Sequence, residues 1–189
     1  IASLCEKHQV YLIVDEAHSG GVFGDHGEGL VCELGLSSMI FARINTFGKA
    51  LGCHGAIVFG SNELRDYLIN FSRSFIYTTA IPLHTVATIK AAFVELSKGK
   101  ASHLLKENIS HFKNQLVFSN LSKFFIDSSS AIQCFMISGN DHVKTVASEI
   151  QEKGFLVKPI MSPTVPKGQE RLRICLHAHN SKQQINDLV

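Results

Sequence analysis

No apolar run in this sequence approaches the ~20 residues needed to cross a bilayer, and its start lacks the charged-then-apolar pattern of a signal peptide. A membrane partner is therefore not expected. Net charge is also small: 18 basic and 16 acidic side chains leave a formal +2, and the basic ones are scattered. Nucleic acid usually calls for a basic cluster, so it is not an expected partner either. Cys5, Cys32, Cys53, Cys134 and Cys175 form an odd set with no C-x-x-C spacing. That argues against a disulfide framework or a structural zinc site and for a reducing, cytoplasmic setting. Internal repeats and low-complexity stretches are absent.

What is present suits a packed fold. Hydrophobic residues make up 45% of the 189 and charged residues 18%, the balance of a globular chain with a real core. Val10-Tyr11-Leu12-Ile13-Val14 is an unbroken apolar run. It predicts a strand buried on both faces, as in a parallel sheet covered by helices, with Asp15 at its C-terminal end. In open α/β sheets ligands sit at that end. The glycine-dense stretch 20–29 predicts a loop. A short strand through Ile44 to Thr46, a turn at Phe47-Gly48-Lys49 and a buried strand over 56–59 follow. Ser61 or Asn62 caps the next helix, with Leu64, Tyr67, Leu68 and Phe71 at helical spacing. Pro82 is placed in the first turn of a long helix whose Val86, Ile89, Phe93 and Leu96 share a face.

Ser97-Lys98-Gly99-Lys100 ends that helix and marks the expected domain boundary, 1–98 against 99–189. Beyond it the pattern predicts a helix over 101–116 and a strand over 131–138. A helix capped by Asp141 and stopped by Gly154 comes next, then strands over 155–157 and 171–176. The order is that of a small α+β domain beside a larger α/β one.

Two segments concentrate chemistry: Val14-Asp15-Glu16-Ala17-His18 and Thr46-Phe47-Gly48-Lys49-Ala50-Leu51-Gly52. Each places polar groups at the end of an apolar strand beside small residues that admit a ligand. A carboxylate, an imidazole and an amine delivered this way suit a cationic ring carrying an aldehyde. Singly, each has an ordinary reading. Asp15 could cap a turn, Lys49 could be solvated, and His18 could be a loop histidine. Thr78 and Thr79 could be plain strand residues, and Arg173 a surface residue on the same strand face as Arg171. His177 and His179 lack a third ligand at sensible spacing, so no metal is expected. Cys53 reads as buried and inert.

Taken in order, V-D-E-A-H-S-G-G-V-F-G, T-F-G-K-A-L-G, I-Y-T-T-A-I-P and P-T-V-P…R-L-R resemble the α-oxoamine synthases. The four segments run from residue 14 to residue 173. The resemblance implies the C-terminal part of a fold type I, aspartate aminotransferase-like large domain plus a small α+β domain. It implies pyridoxal 5'-phosphate (PLP) as cofactor, carried by Lys49, whose amine must lose its proton in a closed, desolvated site. Asp15 would pair with the ring nitrogen and His18 with the ring's phenolic oxygen. Thr46 would bond the phosphate, and Thr79, with Thr78, the phosphate of a neighbouring subunit in a homodimer. Arg173 would take the substrate carboxylate, and Thr164 would line the substrate entrance.

The implied reaction is a decarboxylating condensation of a small amino acid with an acyl-CoA. The T-F-G-K wording favours L-alanine with pimeloyl-CoA, giving 8-amino-7-oxononanoate; members using glycine or serine share most motifs. Members are about twice this length, so the chain is expected to be part of a longer protein and inactive alone. Two other classes are open. L-I-V-D-E-A-H also reads as the Walker-B strand of a DEAH-type ATPase, although Ala50 stands where its phosphate loop needs Ser or Thr. A non-catalytic relative that only dimerises would keep the same motifs.

Overall fold

A computed structural model describes residues 1–189, which form two compact units, Ile1–Ser102 and His103–Val189. No helix is long and apolar enough to cross a membrane.

In the first unit, α1 (Ala2–Lys7) leads into β1 (Ile13–Asp15), and α2 (Leu30–Glu33) follows the glycine-dense loop. β2 (Ala42–Thr46) pairs with β1 in parallel, Asp15 lying opposite Ile44. β3 (Ala56–Gly60) pairs with β2 antiparallel, Thr46 opposite Ala56. The sheet, in order β1-β2-β3, is therefore mixed where the sequence predicted parallel. The link from β2 to β3 explains this. Parallel neighbours need a crossover of about a dozen residues or more, which 16–41 supplies between β1 and β2. The segment 47–55 is a tight turn closed by Phe47 N–H to Gly55 O (2.9 Å) and Cys53 N–H to Phe47 O (2.7 Å).

The two-sided burial expected of Val10–Val14 is not found: Tyr11 is 80% exposed and Ile13 56%. β1 pairs on one edge only, and an uncovered face leaves alternate residues in solvent; β3 shows the same alternation. Helix α3 (Asn62–Phe71) is capped by Ser61, whose hydroxyl accepts from Leu64 N–H at 3.2 Å. The one-turn α4 (Arg73–Ile76) precedes α5 (Leu83–Ser97), with Pro82 at the N-cap position rather than inside the first turn.

Helix α6 (Lys100–Phe118) enters the second unit, a four-stranded antiparallel sheet in order β4-β5-β7-β6. Its strands are β4 (Phe125–Ile126), β5 (Ile132–Met136), β6 (Lys158–Ile160) and β7 (Arg171–Cys175). Helices α7 (Asn140–Glu152) and α8 (Lys182–Leu188) complete it, with Phe112, Val143, Leu172 and Ile185 fully buried. The strand predicted over 155–157 lies three residues later. Its Pro159 donates nothing to a ladder, which an edge strand tolerates.

Asp141 does not cap α7. The N-cap residue is Gly139, and its N–H is satisfied from across the unit by the buried carboxylate of Glu170 (2.9 Å). The same Glu170 oxygen accepts from Gly168 N–H at 2.9 Å. Asn140 meanwhile clasps Ser162, accepting from its N–H (3.0 Å) and donating to its carbonyl (3.2 Å). Both ends of the P-T-V-P loop are thus tied to the start of α7.

Candidate functional site

Parallel pairing of β1 and β2 brings their C-terminal ends to one edge of the sheet. Asp15 is the last residue of β1 and Thr46 the last of β2; Lys49 follows in the turn after Thr46. Asp15 is exposed, and its Oδ1 accepts from Ala17 N–H at 2.9 Å, which folds the chain into the turn that presents His18. The next residue, Glu16, is 4% exposed. Its N–H donates to Ile44 O at 2.7 Å, and its carbonyl accepts from Ser19 N–H and Gly20 N–H at 3.0 Å each.

Small residues let the two segments approach. A Cβ on Gly20 would stand 2.0 Å from Asn45 Nδ2, and one on Gly21, where φ is +82°, 2.5 Å from Ala50 Cβ. The loop after Asp15 therefore lies directly on the end of β2 and on the residue following Lys49. The Lys49 turn is fixed by Gly52 N–H to Lys49 O (3.0 Å) and anchored by Phe47. That ring is 5% exposed and meets Phe93 edge-on at 5.7 Å between centroids.

Two polar atoms at this edge are buried without a hydrogen-bond partner: Thr46 Oγ1 and Asn45 Oδ1. Buried hydroxyls and amides are normally bonded, so each is a place where a ligand or water atom is wanted. Lys49 itself is exposed, as is His18. The closed, desolvated setting expected for the lysine is not supplied by this unit, because nothing in it covers the outer side of the turn. Thr78 and Thr79 are exposed and lie between α4 and α5 rather than on a strand; the Thr78 hydroxyl donates to Ser74 O at 2.6 Å.

In the second unit Arg173 sits mid-strand on β7, half-buried, with its Nε buried and unpartnered. Thr164 is exposed on the P-T-V-P loop. His177 and His179 follow β7 rather than continuing it, their rings stacked at 5.0 Å, and no group of three metal-ligating side chains occurs. Cys53 is half-buried rather than buried, its thiol donating to Leu51 O at 3.2 Å. Burial pushes the Cys134 thiol above its ordinary pKa, against the pull of Arg171 and Arg173.

The sequence reading passed over Glu16 and Asn45. The signal for Glu16 was its place between Asp15 and His18. Asn45, one polar residue before Thr46, gave no sign of its burial.

A mixed sheet whose two parallel strands bring a carboxylate and a lysine turn to one edge is thus in place. The chain is a member of the aminotransferase class I and II family, whose profile matches residues 1–189. It is 44% identical over 185 residues to 8-amino-7-oxononanoate synthase of Emericella nidulans, covering 95% of this chain and 45% of that protein. It is 38% identical over 192 residues to the enzyme of the same name from Trichlorobacter lovleyi, covering 100% of this chain and 49% of that one.

Among solved structures, 8-amino-7-oxononanoate synthase of Francisella tularensis superposes with a TM-score of 0.82 at 28% identity, over 98% of this chain and 55% of that one. An SPT structure containing PLP superposes at 0.90 with 25% identity, over 99% and 47%. The chain spans about half the length of the curated relatives it matches. Family membership sets aside the DEAH-type ATPase.

Proposed function

We propose that this chain contributes the lysine-bearing part of a PLP-dependent α-oxoamine synthase that condenses L-alanine with pimeloyl-CoA to 8-amino-7-oxononanoate. The observation that carries this is the shared edge: Asp15 and the Thr46–Lys49 turn lie at the same end of two parallel strands. The residues present fit the cofactor. Thr46 Oγ1, buried and unpartnered, suits a phosphate oxygen. When bound, PLP supplies an electron sink for the charge that develops at the amino acid's Cα.

The chain's own groups do the rest. Lys49 Nζ would hold the cofactor and, as a free amine, would serve as the general base for the amino acid's Cα proton, a role worth roughly 10²–10⁴-fold. Asp15 keeps the ring nitrogen protonated through a charge-assisted hydrogen bond of about 1.5–3 kcal/mol. His18 orients the ring through its phenolic oxygen. Arg173 receives the amino-acid carboxylate, a task its orphaned Nε supports. Thr164 lines the way in for substrate. Thr78 and Thr79 reach the phosphate in a second copy, which makes the working form a homodimer. The residues of this chain alone are not expected to turn over.

The test uses the full-length gene product. Borohydride reduction with PLP should leave the cofactor on the Lys49 peptide, and Lys49→Ala should lose both that adduct and turnover of L-alanine with pimeloyl-CoA. An adduct on another lysine would end the assignment. Product from glycine or L-serine in preference to L-alanine would move the protein to another branch of the family. Correct PLP capture with no product from any pair would identify a scaffold.

A further inference from the structure

Next to the exposed pair Asp15 and His18 lies a charge network, with Glu16 buried and Arg43 half-buried, that the proposed chemistry does not use. Glu16 Oε1 accepts from Val31 N–H at 2.9 Å and from the Ser19 hydroxyl at 2.8 Å. Its Oε2 accepts from Arg43 Nη1 at 3.1 Å. The guanidinium also lies over the Phe59 ring, 5.1 Å from its centroid, and donates to Cys32 Sγ at 3.0 Å. One side chain thus joins four places: the turn after β1 at Ser19, the start of α2 at Val31, β2 at Arg43 and, through Arg43, β3 at Phe59. Space for it is kept by Gly29, where a Cβ would fall 2.6 Å from Oε1 and where φ is +104°.

We infer that Glu16, locked by Arg43, is a positioning residue that sets the turn carrying Asp15 and His18. The inference rests on the function proposed above. A buried ion pair contributes little net stability, because desolvating both charges offsets most of their attraction, and an apolar pair of similar volume often serves the fold as well. What an apolar pair cannot reproduce is the carboxylate's own set of hydrogen bonds, to the Ser19 hydroxyl and to Val31 N–H, which tie the turn over residues 16–20 to the start of α2. Asp15 and His18 flank that set on either side. A carboxylate and an imidazole that must meet two atoms of one ring tolerate little movement.

The decisive variant is Glu16→Leu with Arg43→Met in the full-length protein, which removes both charges together with the carboxylate's hydrogen bonds and leaves no charge uncompensated. Three quantities are read: the thermal midpoint, hydrogen exchange of the peptide spanning 15–21 without PLP, and PLP affinity with the visible absorbance of the bound form. The expected result is a midpoint near wild type, exchange in that peptide at least about tenfold faster, and PLP affinity weaker by roughly tenfold to a hundredfold with a displaced absorbance band. Unchanged exchange would overturn the inference. So would faster exchange with PLP affinity and spectrum like the wild type, which would make Glu16 structural only. If the wild type captures no PLP under borohydride, the functional reading falls and the inference with it; a loss confined to the variant is the separate result that supports it.

Discussion

At the scale of single residues, Thr46 separates what suits the fold from what suits a ligand. Its hydroxyl is buried at the end of β2 and bonds to nothing in the chain. Leaving such a group unsatisfied costs about 1–3 kcal/mol, whereas an isosteric methyl in its place costs nothing of the kind. Thr46→Val keeps the β-branched shape a strand favours. The PLP-free protein should therefore hold or gain stability by this change, while its affinity for PLP falls. Paired thermal melts with and without PLP measure both, and the sign of the difference is the point. A variant destabilised without PLP would mean that the hydroxyl already serves the fold.

At the scale of elements, Glu170 replaces a local cap. The N–H of Gly139, then Glu170's own N–H and, less, that of Gly168 hold its carboxyl below the usual glutamate range against the opposing effect of burial, with Lys167 adding a smaller pull. A carboxylate whose folded pKa is depressed contributes stability that is complete above its unfolded pKa and is lost as pH falls through the folded value. The start of α7 and the 162–168 loop should therefore loosen together below about pH 4, and not between pH 5 and 8. Glu170→Gln should lower the thermal midpoint at neutral pH and flatten its decline in acid. Parallel midpoint curves for the two proteins from pH 7 to pH 3 would refute the tether.

This element also shows what a sequence can and cannot say. Helices α3, α5 and α6 and strands β2, β5 and β7 were readable because their signals are local: apolar spacing, the cap at Ser61, the break at 97–100. The cap of α7 was not, because its partner is 31 residues away, and Asp141 stood nearer. β6 was displaced because the apolar Phe155-Leu156-Val157 outweighed a proline that an edge strand accepts. At the site, Asp15, Thr46 and Lys49 were legible through their order in the motifs. The Glu16–Arg43 pair was not, since two charged residues 27 positions apart carry no local mark of meeting.

At the scale of the whole chain, the two units are of similar length but very different interior. Ordering a backbone costs about 1–2 kcal/mol per residue in either. Burying a large apolar side chain returns about 1.5–3 kcal/mol. The first unit buries only four hydrophobic side chains: Ala17, Val31, Ala42 and Phe47. The second buries twelve, among them Phe112, Leu172 and Ile185. The first also leaves Tyr11, Phe75 and Leu83 more than 60% exposed, an apolar surface that favours association over solvation. The chain on its own should therefore unfold in two steps as urea rises. Residues 1–102 should lose exchange protection first, with a dye for exposed apolar surface bound even without urea, and the 103–189 sheet should persist to higher concentration. Hydrogen exchange read by mass spectrometry resolves the two, and one transition shared by both units would show that their stabilities are not set separately by the cores they bury.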